Sequence, residues 1–141
     1  MAFQGNFACN TFKTGLMDGT FNFTSGTFYM ALYTNAATLN ASTTAYTATG
    51  EVVDTGYTAG GLALTIAQTP TVGNSGNTAY ISFDNAVWSG AITARGALIY
   101  QNGGGNPAVC VLDFGADKTS ATTFTVQFPA VSNTSAIIRI A

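Results

Sequence analysis

The side chains able to transfer protons, attack a carbonyl or hold a metal are few in this chain, and they are scattered. They are Asp18, Glu51, Asp54, Asp84, Asp113 and Asp117, the bases Lys13, Lys118, Arg95 and Arg139, and the thiols Cys9 and Cys110. Histidine, the usual general base and a frequent zinc ligand, is absent from the 141 residues. A serine nucleophile has no histidine partner and no Gly-x-Ser-x-Gly elbow. Asp54, Asp113 and Asp117 are acids that loops could gather around calcium, but their spacing is not that of an EF-hand. Gly103-Gly104-Gly105 lacks the Gly-Lys-Ser/Thr and the helix of a phosphate loop, and reads as a hairpin tip. Two cysteines define no disulfide framework, and neither matches a zinc spacing. This inventory predicts no enzyme, no metal and no cofactor.

Two further groups are candidates for contact rather than chemistry. Asp84 and Arg95 stand opposite each other if Ser89-Gly90 is a two-residue hairpin loop. The same register pairs Ile81 with Leu98 and Val87 with Ile92, so an Asp84–Arg95 ion pair is expected to fix it. Among the aromatics, Tyr29, Tyr33, Tyr46, Tyr57, Tyr80 and Tyr100 suit strand-face packing. Trp88, beside the expected tight turn, is the best candidate for an exposed ring at an interface.

The elements that must position these residues are mostly strands. Asn10 is expected to cap a short helix over residues 10–18, with Phe12 and Leu16 on one face and Gly19 at its end. Residues 27–34 then alternate: Phe28, Met30 and Leu32 on one face, Tyr29, Ala31 and Tyr33 on the other. Apolar residues on both faces predict an interior strand. Residues 35–61 read as an ordered loop held by Leu39, Tyr46, Val53 and Tyr57, with a short strand at Glu51-Val52-Val53. Strands follow at 62–72, 78–88, 91–100, 108–114, 123–128 and 136–140, with turn residues about every ten positions. Pro70 places the first of these at a sheet edge.

The predicted fold is all-β: an antiparallel sandwich or flattened barrel of about seven or eight strands with one short N-terminal helix, in one domain over 1–141. Its core is expected to hold Phe28, Met30, Leu32, Leu64, Ile81, Phe83, Leu98, Val111, Phe124, Val126 and Ile138. Residues 2–9 are expected to form a docking arm, because Phe3 and Phe7 find no partner in that core.

Composition bounds the partners. Ten charged residues, four basic and six acidic, give a net charge of −2. That leaves no Lys/Arg patch for nucleic acid or an anionic membrane surface. No segment is long and apolar enough for a membrane-spanning helix, and residues 1–9 lack the pattern of a signal peptide, so synthesis in a cytosol is expected. Weak repulsion between copies and strand edges without charged protection predict a protein docked in an assembly.

A pattern across the chain agrees. Thr27-Phe28-Tyr29-Met30-Ala31-Leu32-Tyr33-Thr34, Ala45-Tyr46-Thr47 and Thr55-Gly56-Tyr57-Thr58-Ala59-Gly60-Gly61 form one series. Ala94-Arg95-Gly96-Ala97-Leu98-Ile99-Tyr100, Val111-Leu112-Asp113-Phe114-Gly115 and Ala136-Ile137-Ile138-Arg139-Ile140 complete it. Together with the Phe12-Lys13 and Leu16 segment, they resemble small virion structural proteins of tailed bacteriophages. The resemblance implies a capsid decoration (cement) protein on the virion surface, made in the bacterial host cytoplasm, with the major capsid protein and other copies of itself as partners. A trimer is the expected oligomer. A tail or fibre module recognising a host surface glycan or protein is the alternative. The resemblance carries over no catalytic residue.

Overall fold

A computed structural model describes residues 3–74 and 76–141. Ala2 of the expected arm and Ser75 of the expected 73–77 turn lie outside the described residues. The chain folds as ten strands and one helix: β1 (Phe7–Ala8), α1 (Asn10–Asp18), β2 (Phe28–Tyr33), β3 (Leu62–Ala63), β4 (Ile66–Val72), β5 (Ala79–Phe83), β6 (Ala86–Ser89), β7 (Ile92–Gln101), β8 (Ala108–Ser120), β9 (Thr123–Val126) and β10 (Ile138–Ile140). They form a five-stranded sheet in the order β1-β8-β7-β2-β3, a three-stranded sheet β10-β5-β4 and a β6-β9 pair. Every pairing is antiparallel. The all-β, sandwich-like expectation with one short helix holds.

Strand β2 shows why. Its apolar residues on both faces need cover on both sides, and it lies between β7 and β3 with five of its six residues buried. Phe28 then joins the layers. Its ring stacks on Phe23 at 4.5 Å between centroids and meets Phe83 of β5 at 5.9 Å. Phe12 of α1 reaches Phe23 at 5.9 Å, and Phe83 reaches Phe128 at 5.7 Å. One line of phenyl rings thus runs from the helix through the large sheet into the second. Of the expected core, all but Ile138 are buried, and Ile138 is half-buried. Pro70 sits in β4, an edge strand as expected.

Helix α1 has the expected bounds, but its cap differs. Cys9 occupies the N-cap without a side-chain bond, and Asn10 is the first helical residue. Gly19 closes the helix at φ 82°. Gly15 is not merely a weak helix former: a Cβ there would collide with the Phe21 ring, so glycine lets Phe21 close on Phe12 at 5.3 Å.

The hairpin at Ser89-Gly90 does not form. β6 leaves β5 after Asp84-Asn85 and pairs with β9, setting Trp88 opposite Phe124. β7 pairs with β2 and β8 instead. Gly90, at φ 141°, lies against the Cα of Gly56, so the segment is a corner between sheets. The stretch after Phe114, expected as a polar connection, continues β8 to Ser120, pairing Ile92 with Ser120 and Ala94 with Lys118 across a register shift.

Candidate functional site

Two regions gather side chains beyond the needs of a plain sheet. The first lies along the outer edge of β2. The Tyr33–Glu51 bridge and a 3.0 Å bond from the Val52 N–H to the Leu32 carbonyl lay residues 51–52 beside that strand. This buries Glu51, whose carboxylate accepts bonds from Tyr57 Oη at 2.6 Å, Tyr46 Oη at 2.7 Å and the Gly60 N–H at 2.7 Å. Tyr57 Oη in turn accepts the Leu32 N–H at 3.0 Å. Tyr100 donates to the Gly60 carbonyl and Tyr33 to the Thr47 carbonyl, both at 2.7 Å. Burial, with Glu51 alongside, raises the tyrosine pKa values: Tyr46 to about 12, and Tyr33, Tyr57 and Tyr100 in the same direction. The arrangement holds a loop in place. Of the expected anchors, Leu39 and Tyr57 are buried and Tyr46 is half-buried, but Val53 is not an anchor: Val52 points inward in its place, and Val53 is 93 % exposed.

The second region lies where β1, α1, β8, β9 and β10 meet. A cleft of about 590 Å³ runs between the distal half of β8 and β9, with Phe114, Phe124, Phe128, Pro129 and Ile137 in its wall. A second, of about 400 Å³, lies between α1 and β10 and is walled by Phe7, Phe12, Leu16, Ile138 and Ile140. Asn6, Leu112 and Ile137 line both, so the two adjoin. Leu16 and Ile140 are exposed here; Met17, the next residue of α1, is 83 % exposed and lines neither cleft. Lys13 and Arg139, two of the four basic residues, line the second cleft, and no acidic residue does.

The residues singled out from sequence are distributed differently. Phe3 is buried, its ring over Gly96, where a Cβ would collide with it. Phe7 is half-buried and pairs with Val111, and Asn6 Oδ1 accepts the Asp113 N–H at 2.7 Å. Residues 3–8 therefore lie on their own chain rather than forming a free arm, because β8 offers an open edge and Gly96 a phenyl-sized gap. Trp88 is also buried, between Tyr57 and Phe124, since its strand belongs to the β6-β9 pair. Arg95 pairs with Asp113, not Asp84, at 3.2 Å. β8, not β6, is the neighbour of β7, and Asp84 stays exposed on the β5–β6 corner. Bonds from the Gly115 N–H and from Arg95 hold the Asp113 pKa below its usual value.

Asp54 caps the Thr93 N–H at 2.7 Å, and no group of three acidic or thiol ligands able to hold a metal forms among the described residues. Cys9 and Cys110 are free, with burial raising their pKa values to about 11 and about 12. Ala8, not Cys9, is opposite Cys110. Gly103-Gly104-Gly105 is the exposed tip of the β7–β8 hairpin. No helix among the described residues is long and apolar enough to cross a membrane.

Sequence reasoning missed the role of Glu51, though a signal existed. It is one of two acids in a stretch of mostly Ala, Thr, Gly and Val, with tyrosines five residues before and six after. It also missed the paired clefts, whose walls come from both ends of the chain. Compared with protein-family models, with curated proteins and with solved structures, the chain matches none.

Proposed function

We propose that this chain is a virion structural protein of a tailed bacteriophage, a decoration protein that strengthens the head by bridging coat subunits. The observation that carries the reading is the pattern likeness running from the Phe12-Lys13 segment through Ala136-Ile137-Ile138-Arg139-Ile140. The adjoining clefts support it from the side of structure. A docking protein needs apolar surface and shape, and this face offers Leu16 and Ile140 in the open. On this reading the partners are the major capsid protein and other copies of the chain. It is made in the host cytoplasm and ends on the capsid surface.

Binding to the assembled shell alone would stabilise that shell by mass action. Particles with and without the protein should therefore differ in the temperature or osmotic shock at which they release genomes. Equal release from both sinks the role. Copy number gives an independent check, with hundreds per particle expected on a head and a dozen or fewer on a tail.

The tail or fibre alternative used Trp88 as an exposed stacking ring, and that ring is buried. Half-buried Phe114 in the wider cleft is what remains to it, so we place it second.

A further inference from the structure

Two separate parts of the surface are complementary. At the β1 edge the cleft between α1 and β10 is apolar at its wall and basic at its rim, through Lys13 and Arg139. Cation-lined apolar grooves select an apolar knob that carries a negative charge. At one end of the sheet, beside the start of β7 and the end of β8, the loop after Glu51 presents such a knob. Val53 is the most exposed large apolar side chain among the described residues, at 93 %. Asp54 follows it, fixed in place because its Oδ2 accepts the Thr93 N–H. The knob is rigid: Val52 is buried beneath it, and Glu51 is held by three donors. A rigid knob loses little conformational entropy on docking.

We propose that copies of this chain associate head to tail, the Val53–Asp54 corner of one seating in the α1–β10 cleft of the next. The cleft's about 400 Å³ has room for a valine side chain and the backbone that carries it. Leu16 and Ile140, exposed in its wall, would be covered by the neighbour. Because knob and cleft are different parts of the surface, with no lining residue in common, the contact is heterologous. It closes into a ring if the rotation between copies allows, and otherwise runs on as a filament. The inference concerns the purified chain and stands apart from the virion reading.

Paired cysteines test it. Val53→Cys and Leu16→Cys are made in separate chains, mixed and oxidised. A cross-linked dimer is expected in the mixture and in neither chain alone, and the doubly substituted chain should give a ladder of cross-linked species. Val53→Cys bonding to itself as readily as to Leu16→Cys would mean an isologous contact and overturn the proposal. So would a mixture that cross-links no more than the unsubstituted chain. In sedimentation, Val53→Asp and, separately, Arg139→Glu should each weaken association about tenfold or more, with an unchanged circular dichroism spectrum. Added salt should weaken the association of the unsubstituted chain. Association unaffected by either substitution, or an unsubstituted chain that sediments as a monomer at every concentration reached, overturns the proposal as well.

Discussion

The loop that lies beside β2 and the side of the large sheet near β1, where α1 and β10 approach, are finished in opposite ways. Beside β2, a loop rich in small polar residues is fastened by one buried carboxylate and the tyrosines around it. Three donors converge on Glu51, and the strand beneath contributes the Leu32 N–H to the same network. On the other side, short β1 covers only Cys110 and Val111 of β8, and apolar side chains of α1 and β10 are left facing outward. Polar bonding is directional and fixes one geometry. Apolar surface is not directional and accepts any well-shaped cover. The first side is therefore fixed in one shape, while the second leaves apolar side chains open to solvent.

The largest expected effect comes from breaking the fastened edge. Glu51→Ala leaves two tyrosine hydroxyls and the Gly60 N–H without their acceptor, and should cost about 3 kcal/mol of stability. Urea unfolding should show a lower midpoint with an unchanged slope. A loss below about 1 kcal/mol would mean that water replaces the carboxylate and that the edge is not held by it.

Next comes pH. The folded-state pKa values of Tyr33, Tyr46, Tyr57 and Tyr100 are raised from 10. The unfolded chain therefore ionises first. The stabilisation is intact below pH 10 and is lost as pH rises from 10 through about 12, the Tyr46 value. Melting temperature followed against pH should fall over that window, and a Tyr46→Phe, Tyr57→Phe double variant should fall less steeply. Parallel curves would assign the alkaline loss to other groups.

A smaller effect sharpens the contrast between satisfied and unsatisfied polar groups. Ser82 Oγ on β5 is buried and has no hydrogen-bond partner among the described residues. Ser82→Ala should raise stability by about 1 kcal/mol. A loss instead would reveal an ordered water serving that hydroxyl.

The smallest effect belongs to the open edge. Met17→Ser should change the stability of the dilute monomer by no more than about 0.5 kcal/mol. Thermal melts of dilute protein decide this. A cost well above 1 kcal/mol would show that this end of α1 is packed into the core and erase the contrast.

Much of this architecture was legible in the residues. The two-sided apolar pattern of 28–33 requires an interior strand, and alternation placed Phe124, Val126 and Phe128 inward, where they are buried. What the pattern lacks is the identity of partners. Ser89-Gly90 has the composition of a tight hairpin, and its register matched charges and apolar residues alike. Yet Gly90 is needed for close approach to Gly56, far away in the chain, and β6 turns into another sheet. The misplacement of Trp88 and of the Asp84–Arg95 pair follows from that one corner. Phe3 and Phe7 looked unpartnered because their partners, Gly96 and Val111, lie a whole domain away in sequence. Glu51 escaped notice because a lone acid reads as a solvated one until its donors are in place.

The order of strands in the large sheet has a consequence for how the molecule is made. Strand β2, the most thoroughly buried, hydrogen-bonds along its whole length to β7, with Tyr33 opposite Gly96 and Phe28 opposite Gln101. During synthesis β2 leaves the ribosome long before β7 exists. At ordinary rates of elongation the wait is roughly three to fifteen seconds. Throughout it, Phe28, Met30 and Leu32 are exposed on a nascent chain that has no sheet to join, which makes that interval the natural moment for a chaperone to bind.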